Sequence, residues 1–130
     1  MALTALTAQQ IQERLSAAHN IWLASVRANG APHLIPIWFV AHHDRIYVCT
    51  PPDSVKVRNL RRNPRIALAL EDGSTPIIFE GKAVIMTNAD APAGVIDMFK
   101  LKYGWDILLS EPHFIMIEVA HTKTLSWKAE

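Results

Sequence analysis

One cysteine, Cys49, is all that the sequence contains. A lone thiol excludes an intramolecular disulfide and any multi-cysteine zinc site. Its place in the apolar run IYVCT predicts a buried, reduced thiol. Charge of one sign is also in short supply, with thirteen Lys and Arg against twelve Asp and Glu and a formal net charge of +1. No global field therefore draws the chain to nucleic acid or to an acidic membrane surface. Long apolar runs are missing as well: stretches such as LIPIWFVA fall far short of the roughly 20 residues that a membrane-spanning helix needs. The amino-terminal MALTALTAQQIQERLSAAH has neither the basic start nor the apolar centre of a signal peptide. A cytoplasmic protein is expected. There is no internal repeat, low-complexity tract or linker, and residues 1–130 read as one domain with enough chain to bury a core.

Catalytic signatures are equally sparse. The six histidines form no metal-ligand spacing, and His42 and His43, adjacent near a turn, are expected to point to opposite sides of a strand. No nucleophile–base arrangement is visible, and Glu80 and Glu118 are strand carboxylates without an identifiable partner.

What is present reads as short strands. Thr7 and Gln10 form a capping-box pattern that opens a helix to about Ala18, with Ile11, Leu15 and Ala18 as its apolar stripe. NIWLASVRA is a strand, Asn29-Gly30 a two-residue hairpin signal, and PHLIPIWFVAHH the return strand. RIYVCT follows a turn at His43-Asp44. A short helix runs from Asp53 or Ser54 to about Arg62, ended by Asn63-Pro64. RIALALE and PIIFEGKAVIMT are further strands, with Gly81 a candidate bulge. Asn88 or Asp90 caps a second helix, APAGVIDMFKLKY, and HFIMIEVAHTKTLSW closes the chain as one strand or two. Five or six strands joined mostly by tight turns predict an antiparallel barrel, mainly β, with helices as plugs and covers.

In strand 33–40, His33, Ile35, Ile37 and Phe39 face one way and Leu34, Pro36, Trp38 and Val40 the other. Both sides are apolar, so one is assigned to the core and one to a partner or ligand. Pro36 cannot donate a ladder hydrogen bond, which places it on an edge or at a bulge and leaves room there for a flat ring. Of the four tryptophans, Trp22 reads as core. Trp105 and Trp127 are placed to cover a ligand or to fill a subunit seam, with ordinary packing the competing reading for each.

The charge that exists is concentrated. Residues 51–65, PPDSVKVRNLRRNPR, hold five of the thirteen Lys and Arg with the single acid Asp53. Arg61 and Arg62 fall in the last helical turn, where the helix dipole favours cations. Lys56 falls in the first, where a cation costs roughly 0.3–1 kcal/mol. A bound anion over the free N–H groups of that turn would reverse the sign, with Ser54 Oγ and the Lys56 ammonium completing the cradle. A solvated helix face and a nucleic-acid stripe are the competing readings. No aromatic or glycine-rich RNA motif interleaves with the charges, so no nucleic-acid partner is expected.

The spacing of Tyr47, Thr50, Ser54, Lys56, Asn59, Leu60, Asn63, Pro64 and Arg65, with NGAPHLIPIWF upstream and FEGKAVIMT and LSW downstream, resembles the pyridoxamine 5′-phosphate oxidase-like split barrels. That resemblance implies a six-stranded antiparallel split barrel, a homodimer, and a flavin at the subunit interface. It implies that Thr50, Ser54 and Lys56 hold the cofactor phosphate, with Arg58 and Asn59 beside them. His33, Pro36, Ile37 and Trp38 would run along the isoalloxazine ring. The strand carries neither the arginine nor the lysine of true pyridoxamine phosphate oxidases. Trp127 is followed by three residues, where those enzymes continue into a segment with a substrate-binding arginine and histidine. PHLIPIWF and VRNLRRNPRIAL are similar instead to the small flavin- and deazaflavin-dependent reductases of the same superfamily. The cofactor implied is FMN or a deazaflavin, whose acidic tail Arg58, Arg61 and Arg62 would suit. The activity implied is hydride transfer to a small conjugated substrate, with Trp105 or Trp127, from the same subunit or the second, walling the substrate side. A non-catalytic flavin- or haem-binding carrier or sensor is the alternative from another class.

Overall fold

The computed structural model describes residues 2–129. A two-residue strand, β1 (Leu3–Thr4), precedes the first helix, α1 (Ala8–Ala17). The capping box is formed on both sides: Gln10 N donates to Thr7 Oγ1 at 3.1 Å and Thr7 N to Gln10 Oε1 at 2.9 Å. Leu15 is buried, and Ile11 and Ala18 pack beside it as the stripe predicts.

The hairpin β2 (Ile21–Val26) and β3 (Pro32–Ile37) is closed by a longer loop than the Asn-Gly signal suggests. Arg27 N donates to Ala31 O and Gly30 N to Arg27 O, each at 2.9 Å. Gly30 has φ +86° while Asn29 does not cross to positive φ. A two-residue type I′ turn needs positive φ at both central residues. That geometry occurs one hairpin later, at His43 (φ 47°) and Asp44 (φ 60°), between β4 (Val40–His42) and β5 (Arg45–Thr50).

After β5 come α2 (Val55–Arg62), β6 (Arg65–Ala69) and β7 (Ile77–Thr87). Val57 and Leu60 are buried and anchor α2 to the barrel. The second helix starts later than Asn88 or Asp90 would have it. Asn88–Asp90 forms a 3-10 turn capped by Thr87, and α3 (Val95–Tyr103) begins after Gly94, whose φ is +93°. Pro92 is the reason: it holds Ala91 in extended backbone (ψ 143°) and interrupts the helix. A further short helix, α4 (Ile107–Ser110), capped by Asp106, lies in the stretch expected to be loop. The chain ends in β8 (Ile115–Ser126) and β9 (Lys128–Ala129), the latter paired with β1.

The main sheet is antiparallel with strand order β3-β2-β6-β7-β8-β5-β4. Its two edge strands, β3 and β4, are neighbours in sequence, separated by Trp38 and Phe39 alone. The sheet therefore curls until its edges meet, and β3 and β4 are the one expected strand, broken at its middle. Counted that way, the barrel has the six strands expected. Ile21, Leu23, Phe39, Val48, Leu68 and Ile117 fill its interior. A second cluster packs Val95, Phe99 and Ile107 of α3 and α4 against Val40, Tyr47, Cys49 and Met116. This cover explains why β5 is buried from Ile46 to Thr50 on both faces. Trp22, expected in the core, lies on the alternate, outer positions of β2 and is half-buried. Among the described residues no helix is long and apolar enough to cross a membrane.

The break at Trp38-Phe39 leaves backbone groups without ladder partners, and the end of α3 satisfies them. Phe39 N donates to Tyr103 Oη at 2.9 Å, and that hydroxyl lies 2.8 Å from Phe39 O and 2.9 Å from His19 O. Lys102 Nζ donates to Phe39 O and Leu15 O, both at 3.2 Å, and sits 3.9 Å over the Phe39 ring. Replacing Tyr103 with Phe should cost about 1–3 kcal/mol, because Phe39 N is left unpaired; urea unfolding checks it.

Candidate functional site

Three polar residues are buried among the described residues: Ser25, Thr50 and Asn59. Two of them satisfy each other, since Asn59 Nδ2 donates to Ser25 Oγ at 3.1 Å and ties α2 to β2. Thr50, at the end of β5, does not share in this: its Oγ1 is buried without a hydrogen-bond partner. So are Ser54 Oγ, at the start of α2, and His33 Nδ1 on β3. Leaving a buried polar group unpaired costs about 1–3 kcal/mol. Three such atoms around one helix start describe a seat for a polar ligand.

Ser54 occupies the N-cap position with extended backbone (φ −66°, ψ 157°), yet its side chain makes no capping bond. The N–H groups of the first turn have no intrahelical acceptor. Lys56 stands in that turn, half-buried, and burial holds its pKa below the ordinary lysine value. It makes no ion pair among the described residues. Its charge, with that of Arg27 and the effect of burial, keeps His33 below the usual histidine range; burial is the largest cause. Two hydroxyls, a row of N–H donors and an unpaired ammonium make a site of positive potential with the chemistry of a phosphate cradle.

Beside it opens a cleft of ≈ 340 Å³ walled by Pro36, Ile37, Trp38, Thr50, Pro51 and Trp105. Thr50 belongs to both the cleft and the seat, so a ligand with a ring and a phosphate could span them. Trp38 stacks on Tyr103 with centroids 4.5 Å apart and planes at 5°, and Trp105 meets Trp38 edge-on at 5.9 Å. Pro36 sits on an edge strand, as its missing N–H requires. The outward positions of β3 are not covered within one chain: Leu34 is 60% exposed and Trp38 39%. Cys49 also borders the cleft, but burial pushes its thiol up to about 12. It should resist a water-soluble disulfide reagent at pH 8 until the protein unfolds, and rapid labelling of the folded protein would contradict this.

Of the residues expected to bind a cofactor, Pro36, Ile37, Trp38, Thr50 and Trp105 meet in the cleft, and His33, Ser54 and Lys56 surround the helix start. Three do not join them. Asn59 is turned inward onto Ser25, and Asn59→Ala should cost about 1–2 kcal/mol of stability, by urea unfolding, with little change in ligand affinity. Arg58 is exposed on the outer face of α2, as are Arg61 and Arg62. Trp127 follows the far end of β8, whose first residue, Ile115, pairs with Thr50. Trp127 is not among the residues that wall the cleft.

Two further expectations are corrected. His42 and His43 do not diverge: their rings lie 4.0 Å apart, because His43 belongs to the turn rather than to the strand. Glu118 has a partner, accepting a 2.8 Å hydrogen bond from Tyr47 Oη. This bond, after burial, raises the phenol pKa to about 12. Sequence reasoning missed Tyr103 and Asn20, the first supporting the cleft and the second lining it. Neither stands in a recognisable motif.

The strand order and the helices that cover it define an antiparallel split barrel, mainly β. The chain belongs to the pyridoxamine 5′-phosphate oxidase family, whose sequence profile matches residues 7–127. No curated protein sequence is a significant match. Among solved structures, a conserved hypothetical protein from Mycobacterium tuberculosis is similar with a TM-score of 0.81 and 24% identity, over 95% of this chain and 85% of that one. The heme storage protein HutZ from Vibrio cholerae is similar with a TM-score of 0.77 and 20% identity, over 92% and 94%. An F420 reductase reaches a TM-score of 0.73 at 19% identity, over 88% and 94%.

Proposed function

We propose that the protein is a flavin-dependent oxidoreductase that seats FMN or a deazaflavin with its phosphate at the start of α2. The observation that carries this reading is the set of unpaired buried atoms, Thr50 Oγ1, Ser54 Oγ and His33 Nδ1, around a half-buried and unpaired Lys56. Thr50 and Ser54 would donate to phosphate oxygens, Lys56 would neutralise them, and the first-turn N–H groups would complete the shell. Pro36, Ile37 and Trp38, which wall the cleft, would line the ring, and Trp105 would shield one side of it from water. A bound flavin supplies the hydride chemistry; the protein supplies position and polarity. The substrate class is a small conjugated or heteroaromatic molecule, because the cleft walls are apolar and aromatic.

The exposed Leu34 and Trp38 support a homodimer that covers this face, and a second subunit could bring its Trp127 to the cleft. Exposed Arg58, Arg61 and Arg62 suit an acidic cofactor tail and favour the deazaflavin, in keeping with the similarity to an F420 reductase. Titration of the purified protein with FMN and with the deazaflavin, read by flavin fluorescence, tests the reading. Saturable binding of one of them is expected, and binding of neither would overturn it.

A carrier or sensor without turnover is the second reading. It is favoured by the lining of the cleft, where Cys49, held protonated, is the one titratable side chain. Reduction of a panel of dyes and quinones by the loaded protein separates the two. Bound, reducible flavin with no turnover would support the carrier.

A further inference from the structure

The fourth buried polar atom without a partner among the described residues is His121 Nδ1, on β8 and away from α2. His121 lines a cavity of ≈ 210 Å³ between α1 and the barrel. Ile11 and Leu15 of α1, Ala41 and Ile46 of the β4–β5 hairpin, and Phe79 of β7 form its walls. The imidazole packs against the Phe79 ring, with centroids 4.8 Å apart. Leu15, Ile46 and Phe79 are core residues, so the floor is apolar. At the rim stand Gln12 and Thr124 with Asp44 and Arg45, all exposed, the last two opposite in charge. Burial keeps His121 below the usual histidine range, against the pull of Asp44, which favours the charged ring.

An apolar cavity of about 150 Å³ is known to bind benzene and stay dry. The present one is larger, is open at a polar rim, and has beside it one buried polar atom in want of a partner. We propose that it is a second binding site, which takes a neutral single-ring aromatic whose hydroxyl or ring N–H pairs with His121 Nδ1. The opposed rim charges offset each other and the floor is apolar, so an ionic ligand there would lose hydration with no net counter-charge to gain. The cavity shares no residue with the cleft beside α2, so the proposal stands whether or not a flavin binds there. Contacts to α1 on one side and the hairpin on the other mean that an occupant would clamp the helix to the barrel.

Phenol and benzene, titrated separately and followed by the ring signals of His121 and Phe79 in NMR, test this. Phenol is expected to give a saturable shift, and benzene to bind at least tenfold more weakly, since it leaves Nδ1 unpaired. Ile11→Trp and Ala41→Leu fill the space from opposite walls; whichever melts cooperatively should show no phenol binding. His121→Phe should bring phenol down to the affinity of benzene, read at Phe79. Equal binding of the two probes to the unaltered protein, no saturable shift, or phenol binding that persists in a folded cavity-filled variant would overturn the proposal.

Discussion

Lys56→Ala is expected to weaken FMN binding by about 1.5–3 kcal/mol, roughly 10- to 150-fold, the usual worth of a charge-assisted hydrogen bond. Riboflavin, which has the ring but no phosphate, should bind both proteins equally. This comparison isolates the phosphate contact from any change in the cleft. The same residue carries a stability effect of opposite sign. Burial penalises the charged form of Lys56, so its pKa in the folded, ligand-free protein lies below the unfolded value. Between those two pKa values the unfolded chain binds more protons, and stability must rise with pH. Lys56→Met, which keeps the stem and removes the charge, should therefore leave the ligand-free protein as stable or more stable at pH 7 while abolishing the phosphate preference. A lysine that costs stability in the absence of ligand has its reason in the ligand. Loss of stability in Lys56→Met, with FMN affinity intact, would instead make it an ordinary surface residue.

Gly81→Ala should have the largest effect on folding, about 3 kcal/mol or more, measured as a shift in the urea midpoint. A Cβ at this position would lie 2.2 Å from Ala120 O and 2.7 Å from His121 Cα. Both are backbone atoms of β8, which cannot rotate aside. The close approach follows from the register: Glu80 pairs with Lys123 and Gly81 with His121, leaving Thr122 as the extra residue of a bulge. Ala83 pairs with Val119, so a shift that relieved the clash would also disturb the ladder beyond it. A Gly81→Ala protein with an unaltered midpoint would mean that the two strands part there at little cost.

The features legible from sequence are those set by local chemistry. Thr7 and Gln10 cap α1 because both partners lie within one turn. Pro36 marks an edge strand because its missing N–H forbids any other place. The placement of Thr50, Ser54 and Lys56 around one helix start follows from a β5–α2 connection too short to scatter them. What was not legible depends on contacts between distant segments. Asn29-Gly30 looked like the tighter turn, yet His43 and Asp44 adopt the positive φ values, forced by β4 and β5 pairing directly on either side. Tyr103 lies 64 residues from Phe39, and nothing local announces that its hydroxyl completes a broken strand. Asn59 reads as a polar residue on a basic helix until the fold places Ser25 beneath it. Trp127 shares an aromatic character with Trp105 but stands at the opposite end of β8, and spacing along a chain says nothing of that separation.

The most direct measurement is a crystal structure of the protein with FMN or the deazaflavin bound. The account predicts the phosphoryl group over the first turn of α2, within hydrogen-bond reach of Thr50 Oγ1, Ser54 Oγ and Lys56 Nζ, with the ring lying toward Trp38. A cofactor bound with its phosphate in solvent or at another element, and those three atoms still unpaired, would contradict it.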